Sequence, residues 1–122
     1  GHLFFKENYY ADSGLIAALV AMQVISDSDK KLSELVDEYR RYQMITETNF
    51  EVEDKVGTLK RIKKAFWGGE QDELDGLTVN YPDYWFNIRI SNTEPVIRLN
   101  AEAKTKDQLD GLVKKITGII ES

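Results

Sequence analysis

The chain has 122 residues, of which 42% are hydrophobic, and a formal net charge of −5. An acidic surface repels nucleic-acid phosphates and anionic membranes, so we expect neither partner. The absence of cysteine excludes disulfides, thiolate catalysis and thiolate zinc sites, and it suits a reducing cytoplasm. The length is sufficient for one compact core.

The first clear element is an uncharged helix predicted over Ser13–Ser26, with Asp12 or Ser13 as its N-cap. Its apolar residues leave almost no polar face, and a helix of this kind is normally covered on most sides. It is also shorter than the roughly 20 apolar residues that cross a bilayer. We therefore expect this helix to be buried in a larger protein by residues outside this chain.

A second helix follows, with a single apolar stripe formed by Leu32, Leu35, Val36 and Tyr39. Between residues 42 and 45 the helical spacing gives way to the alternation of a strand. This change predicts a domain boundary that divides the chain into residues 1–43 and 44–122.

The second part reads as strand, helix, three strands and a closing helix. Its first strand is predicted over residues 45–52, and its first helix over 54–67. The residues of that helix expected to point inward are Val56, Leu59, Ile62 and Phe66. Thr105 and Gln108 form a capping box at the start of the last helix. We therefore predict an α+β domain, with an antiparallel four-stranded sheet that carries two helices on one face.

The last two strands are joined by the segment Arg89-Ile90-Ser91-Asn92-Thr93-Glu94-Pro95. An arginine offers planar, bidentate donors to an anion, and the hydroxyl, amide and backbone N–H groups of a tight turn can satisfy its other oxygens. This composition favours a phosphate-binding loop. An ordinary hairpin connection with a surface arginine explains the same residues, and composition leaves both readings open.

The register of these two strands brings two positive charges together. Matching their apolar faces places Arg89 directly across from Arg98 on the other face of the sheet. Two facing guanidinium groups repel each other. Either a carboxylate, from Glu94 or Glu102, neutralises the pair, or an external anion does.

The segment from Phe86 to Asn100 closely resembles the phosphate-binding loop of the α-D-phosphohexomutases, in particular of the phosphomannomutase/phosphoglucomutase group. Gly1–Lys6 and the following Tyr10–Gly14 are similar to the end of that family's sugar-recognition loop, usually written Gly-Glu-x-Ser-Gly-His. The resemblance implies that residues 1–43 are the tail of a third, sugar-recognition domain of α/β type, of which two helices remain. It implies that residues 44–122 are the C-terminal phosphate-binding domain.

The resemblance also implies an activity, the interconversion of hexose 1-phosphate and hexose 6-phosphate of mannose or glucose. The reaction would pass through a phosphoserine and a hexose 1,6-bisphosphate. The residues implied as contacts to the substrate phosphate are Arg89, Ser91, Asn92 and Thr93. Glu94 and Pro95 would shape the loop, and Arg98 is a weaker candidate for contact.

His2 is the only histidine, and an imidazole can transfer protons near neutral pH. The resemblance places this residue close to the reacting phosphoserine as a general acid or base. The competing interpretation is a frayed, inactive terminus.

The remaining catalytic groups would lie in the N-terminal domains of the parent enzyme, and these domains are the expected protein partners of this chain. The resemblance assigns the phosphoserine and the Mg²⁺ site to them, and the carboxylates here show no spacing that demands a metal. We therefore expect this chain to be inactive alone and the parent enzyme to be cytoplasmic. Two alternatives remain, a stand-alone module that binds a phosphate ligand and a purely structural interaction domain.

Overall fold

The computed structural model describes all 122 residues, which form two compact units, residues 1–40 and residues 41–122. The first unit opens with a small antiparallel hairpin of β1 (Phe4–Phe5) and β2 (Ala11–Asp12). Two helices follow, α1 (Gly14–Ser26) and α2 (Leu32–Tyr39).

The two helices of the first unit agree with the sequence prediction. Ser13 caps α1, because its hydroxyl accepts a hydrogen bond from the Ile16 N–H at 3.2 Å. No residue of α1 or α2 is buried, and Leu15 in α1 is 73% exposed. Most of the apolar surface of α1 is thus uncovered within this chain.

The second unit is an antiparallel sheet with two helices. Its elements in chain order are β3 (Gln43–Met44), β4 (Thr48–Glu51), α3 (Lys55–Ala65), β5 (Glu70–Asp72), β6 (Leu77–Asn80), β7 (Tyr84–Ile90), β8 (Val96–Ala103) and α4 (Lys106–Ile120). β8 pairs with β7 on one edge and with both β3 and β4 on the other, while β6 and then β5 extend the sheet beyond β7.

The α+β class is confirmed, but the predicted number of strands is wrong, because the sheet has six strands rather than four. One additional strand is β5, which consists of Glu70, Gln71 and Asp72 and pairs at the outer edge with β6. An edge strand needs no apolar face, so its sequence shows no alternation. The other is β3, which precedes the strand expected over residues 45–52 and is divided from β4, the part of that range observed as a strand.

A β-bulge causes that division. Met44 pairs with Glu102 and Thr48 with Leu99, so three residues on one strand face two residues on β8. The packing of two residues against the core accounts for the bulge. Ile45 and Phe50 both pack against the core although they are five residues apart, which in an unbroken strand would put them on opposite faces.

The core lies between one face of the sheet and the helices α3 and α4. Residues that are at most 5% exposed line it from both sides: Ile62, Phe66, Leu77, Val79, Phe86, Ile88, Ile97, Leu99, Ala101, Ala103, Leu109, Leu112 and Ile116. Phe66 on the α3 side meets Phe86 edge to face, with ring centroids 4.7 Å apart. The predicted capping box of α4 is present, since Thr105 and Gln108 exchange hydrogen bonds of 3.1 and 3.3 Å.

Helix α3 is shorter than the predicted range of 54–67, and one of its inward residues was misassigned. Asp54 is the N-cap and accepts from the Gly57 N–H at 2.8 Å. Val56, expected in the core, is 56% exposed, whereas Thr58 is fully buried. Thr58 lies one turn before Ile62 on the same helix face, and its hydroxyl accepts from Arg61, so a polar residue is tolerated there.

Candidate functional site

The candidate site lies where β7 and β8 meet, on the sheet face away from the helices. Arg89 pairs with Arg98 across the two strands, as the register predicted. The core residues Ile88 and Leu99 on the neighbouring positions are fully buried. The two guanidinium groups are therefore held on the same outer face by the burial of their neighbours.

A third residue joins the two arginines. The Glu47 carboxylate accepts from Arg89 at 3.1 Å, from Arg98 at 3.5 Å and from the Asn100 amide at 3.1 Å. Glu47 is the last residue of the bulge between β3 and β4, and its contacts place it on the polar face. Sequence reasoning did not include it, because nothing local distinguishes it from the other surface glutamates.

The remaining carboxylates near the pair lie farther out. Asp75 accepts from Arg89 at 3.4 Å, and Glu94 accepts from Arg98 at 3.0 Å. Both side chains are more than half exposed, at 78% and 56%. Of the two carboxylates considered as alternatives to an external anion, Glu94 pairs with Arg98, whereas Glu102 forms no ion pair, and Glu47 takes the central position instead.

The pKa of the Glu47 carboxyl is held below its usual range. The hydrogen bond from Asn100 is the largest cause, partial desolvation opposes it, and the charges of Arg89 and Arg98 add to the lowering. Glu47 is therefore an anion at neutral pH. It separates two cations that would otherwise repel each other.

The loop between the strands is closed by its own hydrogen bonds. The Ser91 N–H donates to the Val96 carbonyl at 3.0 Å, and the Glu94 N–H donates to the Ser91 hydroxyl at 3.2 Å. Ser91 is 6% exposed, which fixes the base of the loop. The N–H groups of Asn92 and Thr93, between these closures, have no protein partner.

These groups surround one polar cleft of about 290 Å³. Its lining residues are Asp75, Arg89, Ile90, Ser91, Asn92, Thr93 and Arg98. The residues that line the cleft thus carry two guanidinium groups, two side-chain hydroxyls, an amide and two backbone N–H groups without a protein partner. This set of donors is suited to an anion with several oxygens, such as a phosphate.

Comparison with protein families assigns both parts of the chain. Residues 47–119 match the profile described as phosphoglucomutase/phosphomannomutase, C-terminal domain. Residues 1–42 match the profile described as phosphoglucomutase/phosphomannomutase, alpha/beta/alpha domain III. This chain belongs to the phosphoglucomutase/phosphomannomutase family.

Individual relatives support the family assignment. A phosphomannomutase of Methanocaldococcus jannaschii is 37% identical over 119 residues, which covers 98% of this chain and 26% of that protein. A phosphomannomutase of Escherichia coli K12 is 35% identical, covering 84% of this chain and 23% of that protein. The chain therefore spans about a quarter of the length of these relatives.

A solved structure shows the same fold. The crystal structure of a phosphoglucomutase/phosphomannomutase family protein from Burkholderia thailandensis matches this chain with a TM-score of 0.73 at 26% identity. The match covers 99% of this chain and 26% of that protein.

The family resemblance implies Mg²⁺, but the residues of this chain do not fit a magnesium site. No three His, Asp or Glu side chains are grouped so that they could hold a metal ion. The carboxylates nearest the cleft are occupied by Arg89 and Arg98.

None of the helices combines the length and apolar character needed to cross a membrane.

His2, the remaining predicted site residue, lies in the first unit. His2 precedes β1, and its imidazole Nδ1 contacts the carboxylate of Asp12 in β2 at 2.5 Å. The imidazole is 76% exposed, so it can meet a ligand while Asp12 orients it.

Proposed function

We propose that this chain is the substrate-phosphate-binding C-terminal part of a phosphohexomutase, an isomerase that interconverts hexose 1-phosphate and hexose 6-phosphate. The observation that carries the proposal is that Asn92 and Thr93, whose N–H groups have no protein partner, line the same cleft as Arg89. Backbone N–H groups at a tight turn and an arginine together form an anion-binding nest.

The carboxylates already near the arginines do not prevent phosphate binding. The contacts from Asp75 and Glu94 are exposed ion pairs, which typically contribute at most about 1 kcal/mol. A phosphate dianion offers more charge and more acceptor oxygens than either carboxylate, and arginine binds it bidentately. The dianion therefore displaces the outer carboxylates, while Glu47 stays behind the arginine pair.

Within this proposal each predicted residue has a role. Arg89 provides the charge, and the Ser91 hydroxyl, the Asn92 amide and the Thr93 hydroxyl complete the contacts. Ser91 accepts from the Glu94 N–H and so keeps its own O–H free to donate to phosphate.

Three further residues support these contacts. Pro95 ends the loop and, with Glu94, determines its shape. Arg98 is the weaker contact, because its outer carboxylate, Glu94, lies at 3.0 Å, whereas the outer carboxylate of Arg89, Asp75, lies at 3.4 Å. The buried Nε of Arg98 has no protein partner.

These phosphate contacts are proposed to contribute to catalysis by positioning the substrate. Binding the phosphate that does not react holds the other end of the sugar where phosphoryl transfer takes place. In the proposed reaction a phosphoserine elsewhere in the parent enzyme donates its phosphoryl group to the sugar, and a hexose 1,6-bisphosphate forms and reorients. The serine then recovers a phosphoryl group from the other position of the sugar.

His2 is proposed as the general acid or base for the sugar hydroxyl, with Asp12 orienting its ring.

Residues 1–43 are proposed to belong to the sugar-recognition domain, and residues 44–122 are proposed to form the phosphate-binding domain. Its protein partners are the N-terminal domains of the parent enzyme, which would supply the phosphoserine and Mg²⁺. A cytoplasmic enzyme is consistent with a chain that contains no cysteine.

An amide ¹H–¹⁵N NMR titration of the 122-residue chain tests whether the loop binds phosphate. Glucose 1-phosphate is expected to cause saturable shifts confined to residues 89–93 and 98, whereas glucose at matched ionic strength causes none. Arg89→Ala removes a charge-assisted bidentate contact and should weaken binding by roughly 10- to 100-fold. Arg41→Ala removes the same charge from an exposed residue of the same unit, away from the cleft, and serves as the control.

Equal binding by Arg89→Ala and the unchanged chain would contradict the assignment of this loop. Shifts that are as large with glucose as with glucose 1-phosphate would contradict phosphate recognition itself.

A further inference from the structure

Lys55 connects the start of helix α3 to both ends of the phosphate loop. Its ammonium donates to the Ser91 carbonyl at 3.2 Å and to the Glu94 carbonyl at 3.3 Å. These partners are 36 and 39 residues away in the chain. Lys55 itself does not line the cleft, so it acts on the loop from behind rather than on a ligand.

The first of these contacts orients a donor. The Ser91 carbonyl and the Asn92 N–H belong to the same planar peptide unit, and the chain has no cis peptide bonds. In a trans peptide the C=O and N–H bonds point in opposite directions. Because Lys55 holds the Ser91 oxygen on its own side, the Asn92 N–H is directed to the opposite side, where it has no protein partner.

The second contact acts on the other end of the loop. The Glu94 carbonyl is followed by Pro95, which has no N–H. This peptide unit therefore contains no hydrogen-bond donor that could face the cleft when its carbonyl turns away. A carbonyl oxygen that turned toward a bound phosphate would repel it, because both carry negative charge. Holding both carbonyls on Lys55 keeps two repulsive dipoles away from the anion.

We propose that Lys55 is a positioning residue of the phosphate loop, which directs the Asn92 N–H toward the ligand and the carbonyls of Ser91 and Glu94 away from it. This inference rests on the proposed phosphate-binding function. It predicts that the affinity for phosphosugars depends on a cation at position 55 that never touches the ligand.

The test compares Lys55→Met, Lys55→Arg and Lys60→Met in the titration with glucose 1-phosphate. Lys55→Met should weaken binding by about 5- to 10-fold, a loss comparable to that of one charge-assisted hydrogen bond. Lys55→Arg should restore most of the affinity, since a guanidinium can also donate to two carbonyls. Lys60→Met removes the same charge from the same helix, but Lys60 is exposed and forms no hydrogen bond with the loop, so affinity should not change.

The amide spectrum of each variant reports whether it is folded, and Lys55→Gln replaces the Met variant if that one unfolds. Exchange of the Glu94 amide with solvent gives a second readout, because its bond to Ser91 closes the loop that Lys55 holds. Exchange should become faster in Lys55→Met and not in Lys60→Met.

Two outcomes separate this inference from the function on which it rests. If glucose 1-phosphate binds in a manner that depends on Arg89 but Lys55→Met binds equally well, the inference on Lys55 is wrong and the phosphate site stands. If the unchanged chain shows no phosphate-dependent shifts, both the proposed function and this inference are overturned.

Discussion

Glu47→Gln is expected to make the chain bind phosphosugar more tightly while making it easier to unfold. Glu47 bridges Arg89, Arg98 and Asn100, so the glutamine removes one negative charge without removing volume. The folded chain loses the anion that separates two facing cations. A bound phosphate, in contrast, no longer faces a carboxylate behind the arginine.

The size of the gain follows from the distances. The Glu47 carboxylate is 3.1 Å from one terminal nitrogen of the Arg89 guanidinium, and a phosphate oxygen bound by the same nitrogen adds about 2.8 Å. A charge removed about 6 Å from a dianion in a water-like dielectric changes affinity by roughly tenfold. With a Debye length of about 8 Å at physiological salt, the gain falls to roughly threefold.

The assay is the titration with glucose 1-phosphate at low and physiological salt, combined with urea unfolding of the same samples. Glu102→Gln is the matched control. Glu102 lies on the same sheet face and forms no ion pair, and it is four residues from Arg98, about 14 Å along the strand. At physiological salt its loss should leave affinity nearly unchanged, because the separation exceeds the Debye length of about 8 Å.

Weaker binding by Glu47→Gln at both salt concentrations would refute the electrostatic reasoning. It would mean that Glu47 serves mainly to hold the Arg89 guanidinium in the geometry that phosphate requires.

Two further predictions concern stability. The pKa of Glu47 is lower in the folded chain than its ordinary value of 4.5, so its stabilising contribution is present above pH 4.5 and is lost as the pH falls below that value. Urea midpoints measured between pH 3 and 6 should therefore fall less steeply with acidification in Glu47→Gln than in the unchanged chain; parallel curves would contradict this. Gly76 has φ +75°, and a Cβ there would lie 2.3 Å from the Ile88 carbonyl oxygen and 3.0 Å from the Arg89 Cα. Gly76→Ala should lower the free energy of unfolding, measured with urea, by more than about 1 kcal/mol, and it should weaken phosphate binding by moving Arg89. The control is Gly118→Ala, because a Cβ at Gly118 would have nothing within 4 Å; it should leave the stability unchanged or raise it.

Much of the second unit could be predicted from the sequence, because its signals are local. The alternation along β7 and β8 determined which residues enter the core, and this in turn placed Arg89 opposite Arg98. The capping box of Thr105 and Gln108 marked the start of α4, since both partners lie within one turn. The donor-rich loop was recognisable because its chemistry is contained in consecutive residues.

The tertiary structure decided what surrounds that loop. Glu47 is 42, 51 and 53 residues from Arg89, Arg98 and Asn100, and Lys55 is 36 residues from Ser91. No periodicity in the sequence encodes such pairs, because they arise only when strands and helices pack. The bulge before β4 is of the same kind, since Ile45 and Phe50 share the core only if one extra residue is accommodated. Local pattern therefore determined the central strands β7 and β8, the core face they share and the donor-rich loop between them, whereas packing between distant segments determined which charges hold that loop in place.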